Sequence, residues 1–532
     1  MSGMFNRKAV TILWWTIPFR WLFWFATIFA SVIGTFEVAE NYLSVNLPIE
    51  KIQQIPIAIF SSGIGIIFLT NEKILNAHKN MKNIDQLSER LAKLEISMTP
   101  QQLKDLEKIE QTTEKLTHFG VNLDPWYEIK LGEMARLAGQ NEAAQRYFKQ
   151  AYDDFSALDD GVGQAKALNS LGKVAKTFGD IHESERLYQE SLAISMKIGN
   201  RQGEEDSLNN LGNNAKTRGG LAEAERLHRE SLAIGKEIGN RKGEARSLHN
   251  LGNNAKTRGD LAEAERLYRE SLAIEKEIGD REGEATSLST LGNIAKTRGD
   301  LAEAERLYRE SLAIRREIGD REGEAGSLNN LGNIAKTRGD LAEAERLYQE
   351  SLAIRKEIGY RQGEAGSLTS LGNISRKRGD LAEAERLYRE SLAIRKEIGD
   401  PVNEARSLNS LGNIAKTRGD LAEAERLHRE CLAIQKEIGN PLNEAVALYN
   451  LGEIAEKQGD LAEAERLYRE SLAIMREVDD REREATILNS LGNIAKTQGD
   501  LAEAERLHRE SLAIEREIGI PMVSQDFFNQ FE

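Results

Sequence analysis

LGNIAKTRGDLAEAERLYRESLAIRREIGDREGEAGSLNN, residues 291–330, decides the fold. Its opening Leu-Gly pair returns every forty residues, at Leu171, Leu211, Leu251, Leu331, Leu371, Leu411, Leu451 and Leu491, and a worn copy (LGEMARLAGQNEAAQRYFKQAY) begins at Leu131. A fixed period of this length marks a stacked solenoid, in which one supersecondary unit buries its apolar face against the next copy. The unit accounts for its own length. Gly299-Asp300 reads as a helix stop followed by a start, because Gly accepts the left-handed conformation and Asp caps the next helix. Glu303 stands at capping-box spacing from Asp300, and Gly319-Asp320 repeats the punctuation. Asp400 and Asn440 are followed by Pro401 and Pro441, at the first helical position where the missing N–H costs nothing. Two helices of about 18 residues and two short turns then fill the period.

Apolar residues fall at helical spacing. The helix expected over 341–358 carries Leu341, Ala344, Leu347, Tyr348, Ser351, Leu352 and Ile358 on one stripe. The helix before it carries Leu328, Leu331 and Ala335, with Gly332 permitting close approach. On the other face Glu345 with Gln349 and Arg346 with Glu350 stand at i,i+4, the pattern of a solvated surface.

This pattern resembles the tetratricopeptide repeat. Leu328 takes the usual Trp place, Leu331-Gly332 matches the Leu-Gly pair, and Ala344 and Tyr348 match. Ala335 stands where Tyr is usual and Ser351 replaces a small Ala. The closing Pro is absent because the second helix runs on to Ile358-Gly359. The longer unit is similar to the repeats of kinesin light chains and Partner-of-Inscuteable adaptors. The resemblance covers roughly residues 124 to 520. It implies an all-α, right-handed superhelical solenoid of about ten helix–turn–helix repeats (121–520), whose first helices line a concave groove. It names no partner.

Composition and motifs narrow the function. The net charge of −14 argues against a nucleic-acid partner. The single Cys431 stands where other copies have Ser, which excludes a disulfide framework and reads as a small buried substitute. No phosphate loop, dinucleotide fingerprint, zincin motif or triad is present, so neither an enzyme nor a cofactor is expected. His228, His428 and His508 replace the repeat's Tyr and read as packed side chains rather than metal ligands.

The N-terminal segment differs in kind. Val10–Phe36 is apolar apart from Arg20 and a few hydroxyls, and Ile55–Leu69, extended to about 52–70, forms a second, thinner apolar run. Arg7, Lys8 and Arg20 precede the pair and Lys73, Lys79 and Lys82 follow it, while Glu37, Glu40 and Glu50 face one Lys51 in the loop. The positive-inside rule then gives a two-helix transmembrane hairpin anchor over residues 1–72, placed in an inner or plasma membrane, with the array cytoplasmic. If the second run does not cross, the array lies on the other side. Residues 73–120 read as a helical linker, seamed by residues such as Ile84, Leu87, Leu91 and Leu94. It either self-associates as a coiled coil, giving a homo-oligomer, or folds back on the first repeat. Pro521 aligns with Pro401 and Pro441, so 521–532 reads as a helix covering the open end, or as an acidic aromatic tail docking elsewhere.

Polar residues recurring on the first helix of each unit are the candidate site. After the Leu-Gly pair stand Asn213, Asn253, Asn293, Asn333, Asn373, Asn413 and Asn493, with Lys173 and Glu453 as departures. Three residues on are Lys176, Lys216, Lys256, Lys296, Lys336, Arg376, Lys416 and Lys496; two before the pair are Asn169, Asn209, Asn329, Asn409 and Asn489. Spacings of i, i+4 and i+7 put them on one face. Read functionally, the amides meet the backbone of an extended peptide and the cations favour an acidic one. Read structurally, the Asn bond the neighbouring hairpin and the Lys keep the surface wet. Glu453 and Glu456 interrupt the row. The functional expectation is a membrane-tethered scaffold for a protein partner; the alternative is an assembly factor of a membrane complex that uses the repeats as spacer.

Overall fold

The computed structural model describes residues 124–519. The expected anchor (1–72), linker (73–120) and terminal helix (521–532) lie outside the described residues, among which no helix is long and apolar enough to cross a membrane. The described residues form twenty α-helices. The chain divides at Ile234/Gly235 into two compact units. In the first, α1 (Pro125–Leu137) and α2 (Asn141–Ala157) form the divergent hairpin, followed by α3 (Gly161–Thr177), α4 (Ile181–Ile198), α5 (Arg201–Thr217) and the start of α6 (Leu221–Ile238). The second holds α7 (Arg241–Thr257), α8 (Leu261–Ile278), α9 (Arg281–Thr297), α10 (Leu301–Ile318), α11 (Arg321–Arg338), α12 (Leu341–Glu357), α13 (Arg361–Lys377) and α14 (Leu381–Glu397). It continues with α15 (Pro401–Arg418), α16 (Leu421–Glu437), α17 (Pro441–Gln458), α18 (Leu461–Glu477), α19 (Arg481–Gln498) and α20 (Leu501–Ile518). Within it each odd-numbered helix packs on the even-numbered helix after it, and that one on the next hairpin.

The punctuation forms as its chemistry requires, with one difference. Gly299 takes φ 82° and closes α9, and Asp300 Oδ1 accepts the Glu303 N–H at 3.0 Å. The reciprocal half of the capping box is not made. The Asp300 N–H already donates to the Ala295 carbonyl at 2.9 Å, closing the previous helix, so the Glu303 carboxylate turns outward and grips Arg306 at 2.8 Å.

The α11–α12 hairpin is held by three small-residue devices. Tyr348 is fully buried against Gly332, where an added Cβ would lie 2.6 Å from the ring. Ala344 lets α12 approach α11. Ser351, standing for the family's small Ala, donates its hydroxyl to the Ala325 carbonyl at 2.8 Å, a clasp repeated by Ser271, Ser311, Ser391 and Ser471. Cys431 occupies that register, buried. Outside, the second helices are laced together by Arg316–Glu350 (2.6 Å), Lys356–Glu390 (3.2 Å) and Lys396–Glu430 (2.7 Å). These pairs are exposed, worth only a few tenths of a kcal/mol each, but they leave the outer cations occupied.

His428 has both ring nitrogens buried without a hydrogen-bond partner among the described residues, and burial, with Lys416 nearby, pushes its pKa down to about 4. A folded pKa below the unfolded value means that the unfolded chain binds the extra proton, so stability is lost as pH falls from about 6.5 toward 4. His428→Tyr restores the residue used at Tyr348. It should remove roughly 1–2 kcal/mol of that acid sensitivity at pH 5, read as the difference between wild-type and variant urea midpoints at pH 7 and pH 5. Equal pH dependence would refute the assignment.

Candidate functional site: the first-helix face

The structure gives the Asn row a job before any ligand arrives. Tyr268, Tyr308, Tyr348 and Tyr388 donate their hydroxyls to the side-chain carbonyls of Asn253, Asn293, Asn333 and Asn373 at 2.8–2.9 Å. In these four hairpins the amide is bonded inside its own hairpin, not to the neighbouring one as the structural reading has it. That bond uses one acceptor site of each amide and fixes the side chain's direction, leaving the Nδ2 donors on the helix surface. Asn213, Asn413 and Asn493 face a hairpin whose Tyr is replaced by His228, His428 or His508, so they lack that hydroxyl. The row is best ordered on α7, α9, α11 and α13.

Three expected site residues need correction. Asn209 is 2% exposed, inside the first unit, and cannot meet a peptide. Its counterpart Asn169 shows what that register does there: its Nδ2 donates to Ser191 and Ser207 Oγ at 2.8 and 3.0 Å. Asn409 accepts from Asn450 Nδ2 at 3.0 Å, joining successive first helices. Lys416 is not available to an acidic ligand, because its ammonium lies 2.6 Å from the Glu453 carboxylate. The second interrupting acid, Glu456, accepts the Tyr468 hydroxyl at 3.0 Å in place of an Asn. Asn329, Lys216 and Lys496 are half-buried; Lys256 and Arg376 are exposed, as is Asn493.

The cations that remain are distinctive by contrast. Lys256, Lys296 and Lys336 have no carboxylate within 4.0 Å among the described residues, in an array whose outer cations are laced to Glu. Burial, then the like charges of Lys377 and Lys296, push the Lys336 ammonium below its usual pKa. The partly desolvated Lys336 ammonium, repelled by its like-charged neighbours, is relieved by an anion laid beside it.

Sequence reasoning passed over one register. Arg315, Arg355 and Arg395 continue the stripe of the second helix, as i+4 from Ser311, Ser351 and Ser391; Arg355 and Arg395 reach Ser367 and Thr369 on the first helix that follows or precedes them, and Arg315 reaches Asp320, the cap of α11. The i, i+4, i+8 run Leu347, Ser351, Arg355 carried that signal. Among the described residues no group of three or more His, Cys, Asp or Glu is placed to hold a metal ion.

No curated protein matches the chain. Among solved structures it is similar to BtubC (BKLC) from P. vanneervenii, at 23% identity over 41% of this chain and 92% of that one, TM-score 0.39. It is also similar to the STAND protein with a tetratricopeptide repeat sensor PH0952 from Pyrococcus horikoshii (17%, 64% and 55%, TM-score 0.49). A third is the apo quorum sensor NprR from B. thuringiensis (13%, 66% and 99%, TM-score 0.46). A family model described as tetratricopeptide repeat matches residues 125–197, 204–277, 280–357, 364–437 and 443–517, well over half of the sequence. The chain belongs to the tetratricopeptide repeat family.

Proposed function

We propose that the chain is a protein-interaction scaffold whose α9–α11–α13 face holds an extended, acidic segment of a partner protein. The observation that carries the reading is the unpaired row of Lys296 and Lys336 beside oriented Asn293, Asn333 and Asn373. Amide donors at fixed spacing meet main-chain carbonyls without demanding a sequence, and the ammonium groups select acidic side chains. Lys296→Glu/Lys336→Glu changes the sign of the row and touches no hydrogen bond of the hairpins. Partner recovery in cross-linking pull-downs from solubilised membranes should fall about tenfold, with helicity unchanged. Asn293→Ala/Asn333→Ala/Asn373→Ala should act in the same direction. Recovery of every partner at wild-type level from both variants would overturn the reading.

The apolar runs at 10–36 and 52–70 would tether this scaffold to a bilayer with the array cytoplasmic, a reading supported by hydropathy and flanking charge alone. The full chain should stay in the membrane pellet after alkaline carbonate extraction, and a chain starting at residue 73 should not. Release of the full chain refutes the tether.

A further inference from the structure

The residue that opens the first helix is constant through the second unit except at two successive copies. Arg241, Arg281, Arg321, Arg361 and Arg481 open α7, α9, α11, α13 and α19, whereas Pro401 and Pro441 open α15 and α17. Wherever the Arg stands it answers two carboxylates at once. Arg361 Nη1 lies 2.7 Å from Glu364 on its own helix, and Nη2 lies 2.5 Å from Glu397 at the end of α14. The other four arginines make the same pair of contacts.

Proline removes the guanidinium, but the acids stay. Glu404 and Glu437 keep the two registers around Pro401, and Glu444 and Glu477 keep them around Pro441. Glu437 and Glu477 have no cation within 4.0 Å among the described residues. They end α16 and α18, where the helix dipole disfavours negative charge. The inner acids are uncovered as well. The side chains of Glu404 and Glu444 are 18% and 21% exposed, against 7% for Glu364 and 4% for Glu484. Each keeps one lysine, at 3.5 and 3.6 Å, which also serves a second carboxylate.

The next position changes in the same two copies. Val402 and Leu442 are 42% and 37% exposed where the other repeats of this unit place Lys242, Glu282, Glu322, Gln362 and Glu482. A proline start accounts for the missing Arg. It gives no reason for an exposed apolar residue beside unanswered acids. Because α15 and α17 begin in the same register as α13 and α19, each Pro leaves a gap that one guanidinium spans.

We infer that this edge, made by the starts of α15 and α17 and the ends of α16 and α18, docks a partner-protein segment carrying arginines beside apolar side chains. A partner guanidinium takes the place of the array's missing one, between Glu404 and Glu437 or between Glu444 and Glu477, while the apolar side chains cover Val402 and Leu442. Arginine suits the gap better than lysine because its planar fork reaches two carboxylates from one centre, as the array's own copies do. The edge shares no residue with the Lys296–Lys336 row and asks for the opposite charge, so it does not rest on the proposed groove.

The test uses the full chain and two fluorescein-labelled nine-residue peptides, Leu-Arg-Ser repeated three times and its Leu-citrulline-Ser counterpart, with anisotropy as the readout. Wild type should bind the Arg peptide about tenfold more tightly than the citrulline peptide. Pro401→Arg/Pro441→Arg installs the residue the other copies carry, so it should fold normally and lose that preference. Glu322→Gln/Gln362→Lys makes the same change in net charge at the corresponding edge of repeats that have their Arg, and should bind as wild type does. Binding of neither peptide, equal binding of both, a preference that survives Pro401→Arg/Pro441→Arg, or an equal loss in the charge control overturns the docking edge. So does a native mass that halves in Pro401→Arg/Pro441→Arg, which would give the edge to a second copy of the chain.

Discussion

Gly332→Ala should destabilise the α11–α12 hairpin by about 3 kcal/mol, against the direction that helix propensity predicts. In an exposed helix interior Ala is favoured over Gly by about 1 kcal/mol. At Gly332 the added Cβ would lie 2.6 Å from Tyr348 Cε1 and 2.8 Å from Cδ1. The ring has nowhere to go, because it is fully buried and its hydroxyl is tied to Asn333 at 2.8 Å. Either the helices part or the ring swings and releases the Asn, and overpacking of this kind costs one to several kcal/mol. Gly326 on the same helix is the internal control. Nothing lies within 4 Å of the Cβ it would gain, so Gly326→Ala should stabilise by about 1 kcal/mol. Because long arrays need not unfold as one unit, hydrogen exchange of α11 and α12 is the measurement. Two variants with effects of the same sign would refute the packing account.

That pair of glycines also shows where reading the sequence succeeds. The Leu-Gly period, the Gly-Asp punctuation and the Pro starts are local in the chain, so the hairpins, their lengths and the buried Tyr could be read directly. The candidate face was legible as a face, since i, i+4 and i+7 is a statement about one helix. What each residue does there was not. The partner of Asn333 is Tyr348, fifteen residues away, and that of Lys416 is Glu453, thirty-seven away. Those distances are closed only by packing of one helix on another. Asn209 and Asn329 occupy the same register, yet one is buried and the other half-exposed, because their surroundings come from other copies. The capping box half-failed for a similar reason: a two-residue turn makes the Asp300 N–H serve the helix behind it. Arg355 was not singled out, although its place on the stripe of Leu347 and Ser351 was visible in the sequence.

Asn254→Ile should raise stability by about 3 kcal/mol. Asn254 is 1% exposed, and neither its carbonyl nor its amide has a hydrogen-bond partner among the described residues. Later copies fill the register with Ile294, Ile334, Ile374, Ile414, Ile454 and Ile494, all buried, so the backbone at this place accepts a branched side chain. An unsatisfied buried amide costs about 1–3 kcal/mol, and burying an Ile contributes about 1.5–3 kcal/mol; part is lost to imperfect fit. Asn214, one copy earlier, separates the chemistry from the position. Its Nδ2 donates to Ser184 Oγ at 2.9 Å, so Asn214→Ile would strand that hydroxyl and offset its own gain. A buried Asn is thus a defect or a clasp according to its partner, not its register. Higher urea resistance and slower hydrogen exchange of α7 are expected for Asn254→Ile, with Asn214→Ile near neutral. If the two variants shift stability equally, the orphaned amide at Asn254 is not the source of the gain.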